Sequence, residues 1–245
     1  MSRRSILTIG PAPSRPIRWD ALPKPDGGVR RLVVLEQADE LGFARSVAGA
    51  APAIRLAMRS ESHANRVVDW DRRGPILEPW GRARLRWLRE VRRLASDARF
   101  VAVTDARACY ASIAPTVTTE RLRVLGTGEA CAHEVGSWLR AFGDVGVDGL
   151  PVGPATSALL ADVVLSAGDD AIHGTGAEHV RWVDDVAIFA PDRRTRAAAL
   201  EALSRVWASL GVQLHDGKTV LLEAPVAEVH LGAVSSSTAC CSTLR

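Results

Sequence analysis

Hydrophobic and polar residues form a regular succession of short runs from residue 99 to the end of the chain. Short apolar runs bounded by polar residues or glycine indicate strands, whereas apolar positions three or four residues apart indicate helices. Gly211, after the last helical stretch, is a typical helix stop. The predicted order is a strand at 99–105, a helix at 129–142, a helix at 158–171, strands at 179–183 and 186–190, a helix at 193–211, and strands at 218–222 and 229–233.

Two further elements are predicted in the first hundred residues. The segment ALPKPDGGVRRLVVLE (21–36) places an Asp-Gly-Gly turn before a β-rich run, which favours a hairpin arm. The segment GRARLRWLREVRRLAS (81–96) has four apolar positions at helical spacing with arginines around them, so a basic amphipathic helix is expected. Those apolar positions are Leu85, Leu88, Val91 and Ala95.

Apart from the helix at 129–142, the order from residue 99 is strand, helix, strand, strand, helix, strand, which is the split βαβ arrangement. Its first two strands are parallel, a right-handed crossover helix covers one face, and the third strand returns between them after a tight hairpin. This topology places Asp105, at the end of the first strand, next to Asp184 and Asp185 in the hairpin turn.

Three adjacent carboxylates repel one another unless a cation shares their site. Mg²⁺ is the natural candidate, because it binds carboxylate oxygens, water and substrate phosphates. An Asp-Asp turn is also poorly suited to the positive φ angles of tight hairpins, and such departures from local rules tend to mark function. The ordinary alternative for an isolated Asp-Asp pair is a solvated hairpin tip.

Charge is divided unevenly along the chain. Residues 1–100 contain 20 Lys and Arg against 11 Asp and Glu, whereas residues 101–245 contain 11 against 17. A basic lobe beside an acidic one suits a protein that holds a polyanion with arginines and cations with carboxylates, although arginines can also serve solubility alone. The basic helix, with Trp80 and Trp87, could line a nucleic-acid groove by charge and stacking.

The 245 residues, of which 47% are hydrophobic, suffice for a buried core. No apolar stretch has the length of a membrane span, and the basic start precedes too short an apolar run for a secretory signal, so a cytoplasmic protein is expected. The cysteines show neither metal-ligand spacing nor the density of a disulfide scaffold, which argues against structural zinc. They are Cys109, Cys131, Cys240 and Cys241.

Several motifs, in order and spacing, resemble those of reverse transcriptases, in particular bacterial enzymes of the retron and group II intron types. The similarity is closest to the abortive-infection and defence-associated branch, which has a similar form of the loop LPVGPATS. The first motif resembles the fingers segment of the family and the others resemble the palm. The motifs are LPKPDGGVRRL (22–32), VTDARACYASI (103–113), GLPVGPATSALLADVVL (149–165), RWVDDVAIF (181–189), GVQLHDGKTVLL (211–222) and HLGA (230–233).

The resemblance implies an α+β fold: a polymerase palm, whose split βαβ, ferredoxin-like antiparallel sheet carries helices on one face, and a small basic fingers lobe. It implies a fingers-like lobe at 1–97, a palm at 98–233 and a flexible tail at 234–245. The implied activity is RNA-directed DNA polymerisation onto a primer 3′-hydroxyl, in a retroelement or phage-defence context. The implied partners are an RNA template, a DNA primer or product, and dNTPs.

The resemblance also implies a metal site. Asp105, Asp184 and Asp185 would hold two Mg²⁺ ions, for which Mn²⁺ could substitute, and the backbone carbonyl of Ala106 would be a further ligand. Tyr110, the single tyrosine of the chain, would lie under the sugar and exclude a 2′-hydroxyl. A buried core tyrosine is the ordinary alternative.

Four cations are implied in phosphate binding. Lys24, Arg30 and Arg31 of the fingers segment would reach the triphosphate, because ammonium and guanidinium groups bind phosphate oxygens. Lys218, in the motif GKT, would protonate the leaving pyrophosphate or hold the phosphates. Each of the four could instead be a solvated surface residue.

The loop at 149–157 both matches the family and departs from it. Gly153 would let the backbone approach the base pair and template, and Ser157 would cap the next helix or touch the template. Val152 stands where most reverse transcriptases have a glutamine that contacts the incoming nucleotide, which puts nucleotide affinity and fidelity in question.

Only residues 234–245 follow the last motif, which is too short for the helical thumb of the family. A homo-oligomer, a partner protein or a structured RNA is therefore expected in its place. Other functions stay open: a template-independent nucleotidyltransferase, more distantly a nucleotide cyclase, and a catalytically silent RNA-binding scaffold. The fingers motif and the LPVG loop favour a polymerase, and the three aspartates with Tyr110 and Lys218 argue against the scaffold.

Overall fold

The computed structural model describes residues 18–23 and 27–223 of the chain. None of the helices in these ranges is both long and apolar enough to cross a membrane. Lys24, the strand predicted at 229–233 with its HLGA motif, and the tail at 234–245 lie outside the described residues. The strands are β1 (Arg18–Pro23), β2 (Val29–Val34), β3 (Val67–Asp71), β4 (Gly74–Leu77), β5 (Phe100–Thr104), β6 (Ala106–Arg107), β7 (Glu178–Trp182), β8 (Asp185–Ala190), β9 (Gln213–Leu214) and β10 (Val220–Glu223). The helices are α1 (Gln37–Ser46), α2 (Ala51–Ala57), α3 (Trp80–Asp97), α4 (Cys109–Ser112), α5 (Pro115–Val124), α6 (Glu129–Asp144), α7 (Ala155–His173) and α8 (Arg193–Ser209).

The central sheet has the strand order β10-β5-β8-β7, and every neighbouring pair is antiparallel. Strands β5 and β7 are therefore parallel to each other, with β8 returning between them. This arrangement confirms the split βαβ order expected from the sequence. Thr104, the last residue of β5, pairs with Val186 near the start of β8, so the end of β5 lies beside the β7–β8 turn.

Both faces of the central sheet are covered, whereas helices were expected on one face. Ala102 and Ile188 belong to the core formed with α7 and α8, while Val101 and Phe189 pack with α3 on the opposite side. The physical reason is strand β8, which is apolar at successive positions and so requires cover on both faces. The α+β class and the antiparallel sheet agree with the prediction.

Helix α3 has the expected amphipathic character, but its buried side differs from the predicted one. Trp87 and Leu94 are buried together with Val91, whereas Leu85, which was expected on the apolar face, is 57% exposed. The aromatic ring of Trp87 packs edge-on against Trp182 at 6.2 Å between centroids. Trp87 is therefore a core residue, and its predicted role in stacking on nucleic acid is wrong.

Helices α7 and α8 approach closely beneath the sheet. The indole nitrogen of Trp207, which is fully buried, donates a hydrogen bond of 3.1 Å to the carbonyl of Leu165. A Cβ atom at Gly168 would lie 2.4 Å from that nitrogen. This contact requires glycine, because any side chain at position 168 would push the two helices apart.

The region before α3 contains elements that the sequence did not predict. Helices α1 and α2 and the β3–β4 hairpin fill residues 37–77, and α5 was missed in the palm. Helix α1 packs Phe43 against Trp138 and Phe142 of α6, with ring centroids 5.9 and 5.1 Å apart. These contacts join α1 and α6 in one core.

Candidate active site

The turn between β7 and β8 consists of Val183 and Asp184, because Trp182 pairs with Asp185. The sequence placed Asp184 and Asp185 in the turn and Val183 in the strand, and this assignment is wrong by one residue. Val183 has φ +56, the sign that a type II′ turn needs at its first central position. A β-branched residue in this region of φ is strained, which tends to occur at functional sites.

The structure brings the three predicted aspartates together at the edge of the sheet. Asp105 follows β5 and is 8% exposed, and its backbone carbonyl accepts a hydrogen bond of 2.7 Å from the amide of His215. Its carboxylate contacts the ammonium of Lys218, which lies in a 3₁₀ turn at 216–218. The carboxyl of Asp184 lies close enough to that of Asp105 for the two to interact. Asp185 begins β8 and is partly buried.

Burial and repulsion both disfavour charge on these carboxyls. Burial of the Asp184 carboxyl, with the charges of Asp105 and Asp185, raises its pKa well above the usual value. Burial and the charge of Asp105 raise the pKa of Asp185 to about 6, although Lys218 and Arg84 act in the opposite direction. The hydrogen bond to Asp105 raises the pKa of Lys218, which therefore remains a cation.

The donor set fits a hard divalent cation. Carboxylate oxygens are the ligands that Mg²⁺ prefers, and a divalent cation would offset the repulsion among Asp105, Asp184 and Asp185. Within residues 18–23 and 27–223, no three His, Cys, Asp or Glu side chains already surround one point as a preformed metal site. Asp105 is instead paired with Lys218. Ala106, the predicted backbone ligand, is buried in β6 opposite Leu214.

Tyr110 lies beside this cluster on α4. Burial raises the pKa of its phenol, and the charge of Asp184 adds to the effect, so the hydroxyl stays protonated. The carbonyl of Tyr110 accepts a hydrogen bond of 2.8 Å from the amide of Leu150. Gly149 has φ +63, and a Cβ atom there would lie 2.2 Å from the same carbonyl. The loop at 149–154 is therefore fixed beneath Tyr110 by main-chain contact.

The same loop holds the β1–β2 hairpin. The amide of Val33 in β2 donates a hydrogen bond of 2.7 Å to the carbonyl of Val152. Gly153 has φ +133, and a Cβ atom there would lie 2.6 Å from the carbonyl of Val33. We call these contacts, together with the Leu150–Tyr110 hydrogen bond, the hairpin joint. Through it, the arm that carries Arg30 and Arg31 is attached to the loop next to the aspartates.

Three further predicted site residues differ in their surroundings. They are Arg30, Arg31 and Ser157. The charge of Arg30 lowers the pKa of both Asp185 and Tyr110 against the larger opposing effects, so Arg30 lies near the cluster. The guanidinium of Arg31 instead lies 4.3 Å from the ring of Trp19. Ser157 is fully buried in the first turn of α7.

Ser157 does not cap α7. The helix begins at Ala155 with Pro154 at the N-cap, and no side chain caps it. The helix-capping alternative for Ser157 is therefore wrong. Within the described residues its hydroxyl has no hydrogen-bond partner.

Sequence reasoning missed Arg84. This α3 residue is only 6% exposed, and its guanidinium lies 4.1 Å from the ring of Trp87 and 5.3 Å from that of Trp182. Its charge lowers the pKa of Asp185. The one signal in the sequence was helical spacing: Arg84 lies on the same face of α3 as the buried Trp87 and Val91, unlike the exposed arginines of that helix.

Sequence reasoning also missed a buried ionic network below the turn. Arg181 in β7 pairs with Asp162 and Asp169 of α7. The signal in the sequence was a pair of aspartates seven residues apart on one face of an apolar helix. Its counterpart was the alternation of His179 and Arg181 with apolar residues in the strand.

The sheet order and the hairpin that carries the paired aspartates are those of a polymerase palm, and the chain has a reverse-transcriptase-like fold. No protein-family model and no curated protein matches the sequence. Telomerase from Candida albicans, in complex with the TWJ fragment of telomeric RNA, is similar with a TM-score of 0.57 and 13% identity, over 84% of this chain and 41% of that one. Apo telomerase from Candida tropicalis has a TM-score of 0.58 and 12% identity, over 86% and 44%. A form of it truncated from the C-terminal domain has a TM-score of 0.58 and 11% identity, over 85% and 50%. The chain thus spans half or less of these telomerases, and at such identity the similarity establishes the fold.

Proposed function

We propose that the protein is an RNA-directed DNA polymerase that transfers deoxynucleotides to a primer 3′-hydroxyl, acting in a retroelement or phage-defence context. One observation carries the proposal. Asp105, Asp184 and Asp185 meet at the edge of a reverse-transcriptase-like sheet, with Lys218 on one side and Tyr110 on another. A set of repelling, partly buried carboxylates is costly for a fold unless it holds a cation.

Asp105, Asp184 and Asp185 would hold two Mg²⁺ ions. When bound, these ions would lower the pKa of the primer hydroxyl and neutralise charge on the triphosphate. In the transfer, the 3′-hydroxyl loses its proton to water, its oxygen forms a bond to the α-phosphorus, the bond from that phosphorus to the bridging oxygen breaks, and pyrophosphate leaves. Lys218 is a cation with a 56% exposed side chain. It could turn from Asp105 to donate its proton to the departing pyrophosphate.

Tyr110, Arg30 and the hairpin joint would position the nucleotide. The protonated phenol of Tyr110 provides a flat, uncharged surface next to Asp184, suited to a sugar without a 2′-hydroxyl. Arg30, whose charge acts on Asp185, would reach the triphosphate. Arg31, stacked on Trp19, would have to leave that ring to join it.

The exposed side of α3 suits a nucleic-acid backbone. It presents Arg82, Arg89 and Arg92, none of which forms an ion pair within the part of the chain that the structure describes. Trp80 at the start of the helix is 46% exposed and could stack on a base. Changing the three arginines to glutamine should weaken RNA binding and reduce the slope of log K against log salt by about three.

The proposal is tested by incorporation of labelled dNTPs with Mg²⁺ on a primed RNA template, on a primed DNA template and without template. The inactive variant is Asp184→Asn/Asp185→Asn, and the matched control is Asp148→Asn, which removes charge from an exposed loop residue. We expect RNA-templated synthesis by the wild type and the control, and a loss of at least about a hundredfold in the double variant.

The other outcomes have definite meanings. Equal incorporation without template would identify a template-independent nucleotidyltransferase. Tight RNA binding with no incorporation under any condition would favour the silent scaffold. Iron(II)-dependent backbone cleavage provides a second readout, because iron(II) bound in place of Mg²⁺ should cut near residues 105 and 184 in the wild type and not in the double variant.

A further inference from the structure

A fully buried arginine lies directly beneath the turn that carries Asp184. The guanidinium of Arg181 donates from Nε and Nη2 to the two carboxylate oxygens of Asp169, at 2.8 and 2.7 Å. Its Nη1 donates to Oδ1 of Asp162 at 2.5 Å and to the carbonyl oxygen of Val183 at 2.8 Å. The side chains of Arg181, Asp162 and Asp169 are at most 1% exposed. One cation therefore joins helix α7 to the turn.

The surroundings fix this arginine on every side. Asn65 donates to the second oxygen of Asp162 at 2.8 Å, and Nε2 of His179 lies 3.2 Å from Asp169. The backbone of Arg181 is also held, because its amide donates to the carbonyl of Glu61 and its carbonyl accepts from the amide of His63. The guanidinium is thus held by two helix carboxylates, which are themselves bonded to Asn65 and His179, and the backbone of Arg181 is held by the segment at 61–63.

Stability alone does not explain such a network. Buried ion pairs incur a large desolvation cost, and well-packed apolar side chains are often as stabilising. The contact that apolar residues could not replace is the one from Nη1 to the carbonyl of Val183. Val183 has φ +56, which costs a β-branched residue on the order of 1–3 kcal/mol and persists only where neighbouring contacts hold it.

The direction of Asp184 depends on this strained residue. Val183 and Asp184 are the two residues of the turn, so the peptide group between them includes the carbonyl that Arg181 binds. Rotation of that peptide changes ψ of Val183 and φ of Asp184, and would therefore shift the Asp184 side chain relative to Asp105, beside which it lies. A donor on the Val183 carbonyl therefore fixes the orientation of a residue that would bind the metal.

We propose that Arg181 is a positioning residue for the active site: its bond to the Val183 carbonyl holds the strained turn in the form that directs Asp184 toward Asp105. This inference rests on the proposed function for its catalytic consequence, although the effect on the turn is independent of activity. The network transmits the position of helix α7 to the carboxylates through a single guanidinium.

The test compares two variants that disturb the same network. Arg181→Lys keeps the charge, but one ammonium cannot reach both Asp169 oxygens and the Val183 carbonyl. Asp169→Asn removes one charge from the network, but its amide oxygen can still accept from Arg181, and Nη1 keeps its bonds to Asp162 and to the Val183 carbonyl. A third variant, Arg181→Met/Asp162→Asn/Asp169→Asn, removes the arginine without leaving a buried unpaired charge, in case Arg181→Lys fails to fold.

Hydrogen exchange of the peptide that spans residues 182–186 is measured on the full chain without metal. We expect exchange in this peptide to quicken by about tenfold or more in both Arg181 variants and to stay near the wild-type rate in Asp169→Asn. Peptides from α8 serve as an internal reference for global stability. Unchanged exchange in the Arg181 variants, or equal acceleration in Asp169→Asn, would overturn the proposal, since the network would then be only structural.

Steady-state kinetics provide the second readout. Loss of orientation should lower kcat by about 10–100-fold in the Arg181 variants with little change in KM for dNTP, and Asp169→Asn should retain most of its kcat. Absence of dNTP incorporation by the wild type would refute the proposed function. The hydrogen-exchange experiment would still decide whether Arg181 holds the turn. Faster exchange with unchanged kcat would refute the positioning of Asp184 for catalysis.

Discussion

His63 should make the protein sensitive to mild acid. Its side chain is buried, and the guanidinium of Arg86 donates to its Nδ1 at 3.2 Å and to its backbone carbonyl at 2.9 Å. Nδ1 must therefore be an acceptor, which requires the neutral imidazole with its proton on Nε2. Protonation of Nδ1 would remove that hydrogen bond and place a second cation against Arg86.

The magnitude follows from the pKa. Burial and the charges of Arg86 and Arg66 lower the pKa of His63 from 6.5 to about 4, against weaker opposing effects of Glu90 and Glu61. As the pH falls below 6.5, the unfolded state takes up a proton that the folded state does not bind until about pH 4. The contribution of His63 to the free energy of unfolding should therefore be nearly constant well above pH 6.5 and decrease at lower pH, by about 2 kcal/mol at pH 5 and about 3 kcal/mol at pH 4.

The assay is urea denaturation followed by tryptophan fluorescence, at pH 8 and pH 5 with constant ionic strength and EDTA. In His63→Asn the amide oxygen can replace Nδ1 as the acceptor for Arg86 but does not titrate. This variant should lose about 2 kcal/mol less than the wild type between the two pH values. His133→Asn, at an exposed position of α6, is the matched control and should behave as the wild type.

Carboxyl groups also titrate in this range, but their contribution to the change in unfolding free energy is common to all three proteins and cancels in the comparison. Equal losses of unfolding free energy in the wild type and His63→Asn would refute the reasoning. So would a His133→Asn variant that has lost the acid sensitivity.

Two further substitutions test packing and charge. Gly168→Ala should lower the free energy of unfolding by about 1–3 kcal/mol because its methyl group would overlap the indole of Trp207. The control Gly143→Ala, at a helix position with open space, should be neutral or stabilising by up to about 1 kcal/mol. Equal effects of the two substitutions in urea denaturation would contradict the close contact between α7 and α8. Asp185→Asn should raise stability in EDTA by about 1–3 kcal/mol relative to Asp148→Asn, because it removes one of three repelling carboxylates. Mg²⁺ should raise the free energy of unfolding of the wild type but not that of Asp185→Asn. If Mg²⁺ stabilises Asp185→Asn as much as the wild type, the metal site is contradicted.

The central sheet could be predicted because each strand is a short apolar run between clear breaks, and the order of elements then dictates the topology. Once the topology was known, Asp105 had to lie near Asp184. The form of the turn could not be predicted, because local preference disfavours positive φ at Val183. Arg181 is only two residues from Val183, but the position of its guanidinium depends on Asp162 and Asp169, which are distant in sequence.

The missed elements have a different cause. Helices α1 and α5 are only weakly amphipathic, and each is held mainly by tertiary packing, such as Phe43 of α1 against Trp138. Leu85 and Arg84 are next to each other in α3, yet the leucine is exposed and the arginine is buried. Two tryptophan rings provide an apolar and electron-rich environment for the guanidinium, and that arrangement exists only in the folded protein.

The hairpin joint restricts substitutions at some positions of the loop at 149–154 and leaves others free. Its contacts use the amides of Val33 and Leu150 and the carbonyls of Val152 and Tyr110, so no side chain takes part in them. Position 152 can therefore exchange valine for glutamine or another residue without detaching the β1–β2 hairpin from the loop. A single methyl group at position 149 or 153 would collide with the main chain and detach it. If the protein is the polymerase proposed above, selection for nucleotide preference can thus act on position 152 while Gly149 and Gly153 stay fixed.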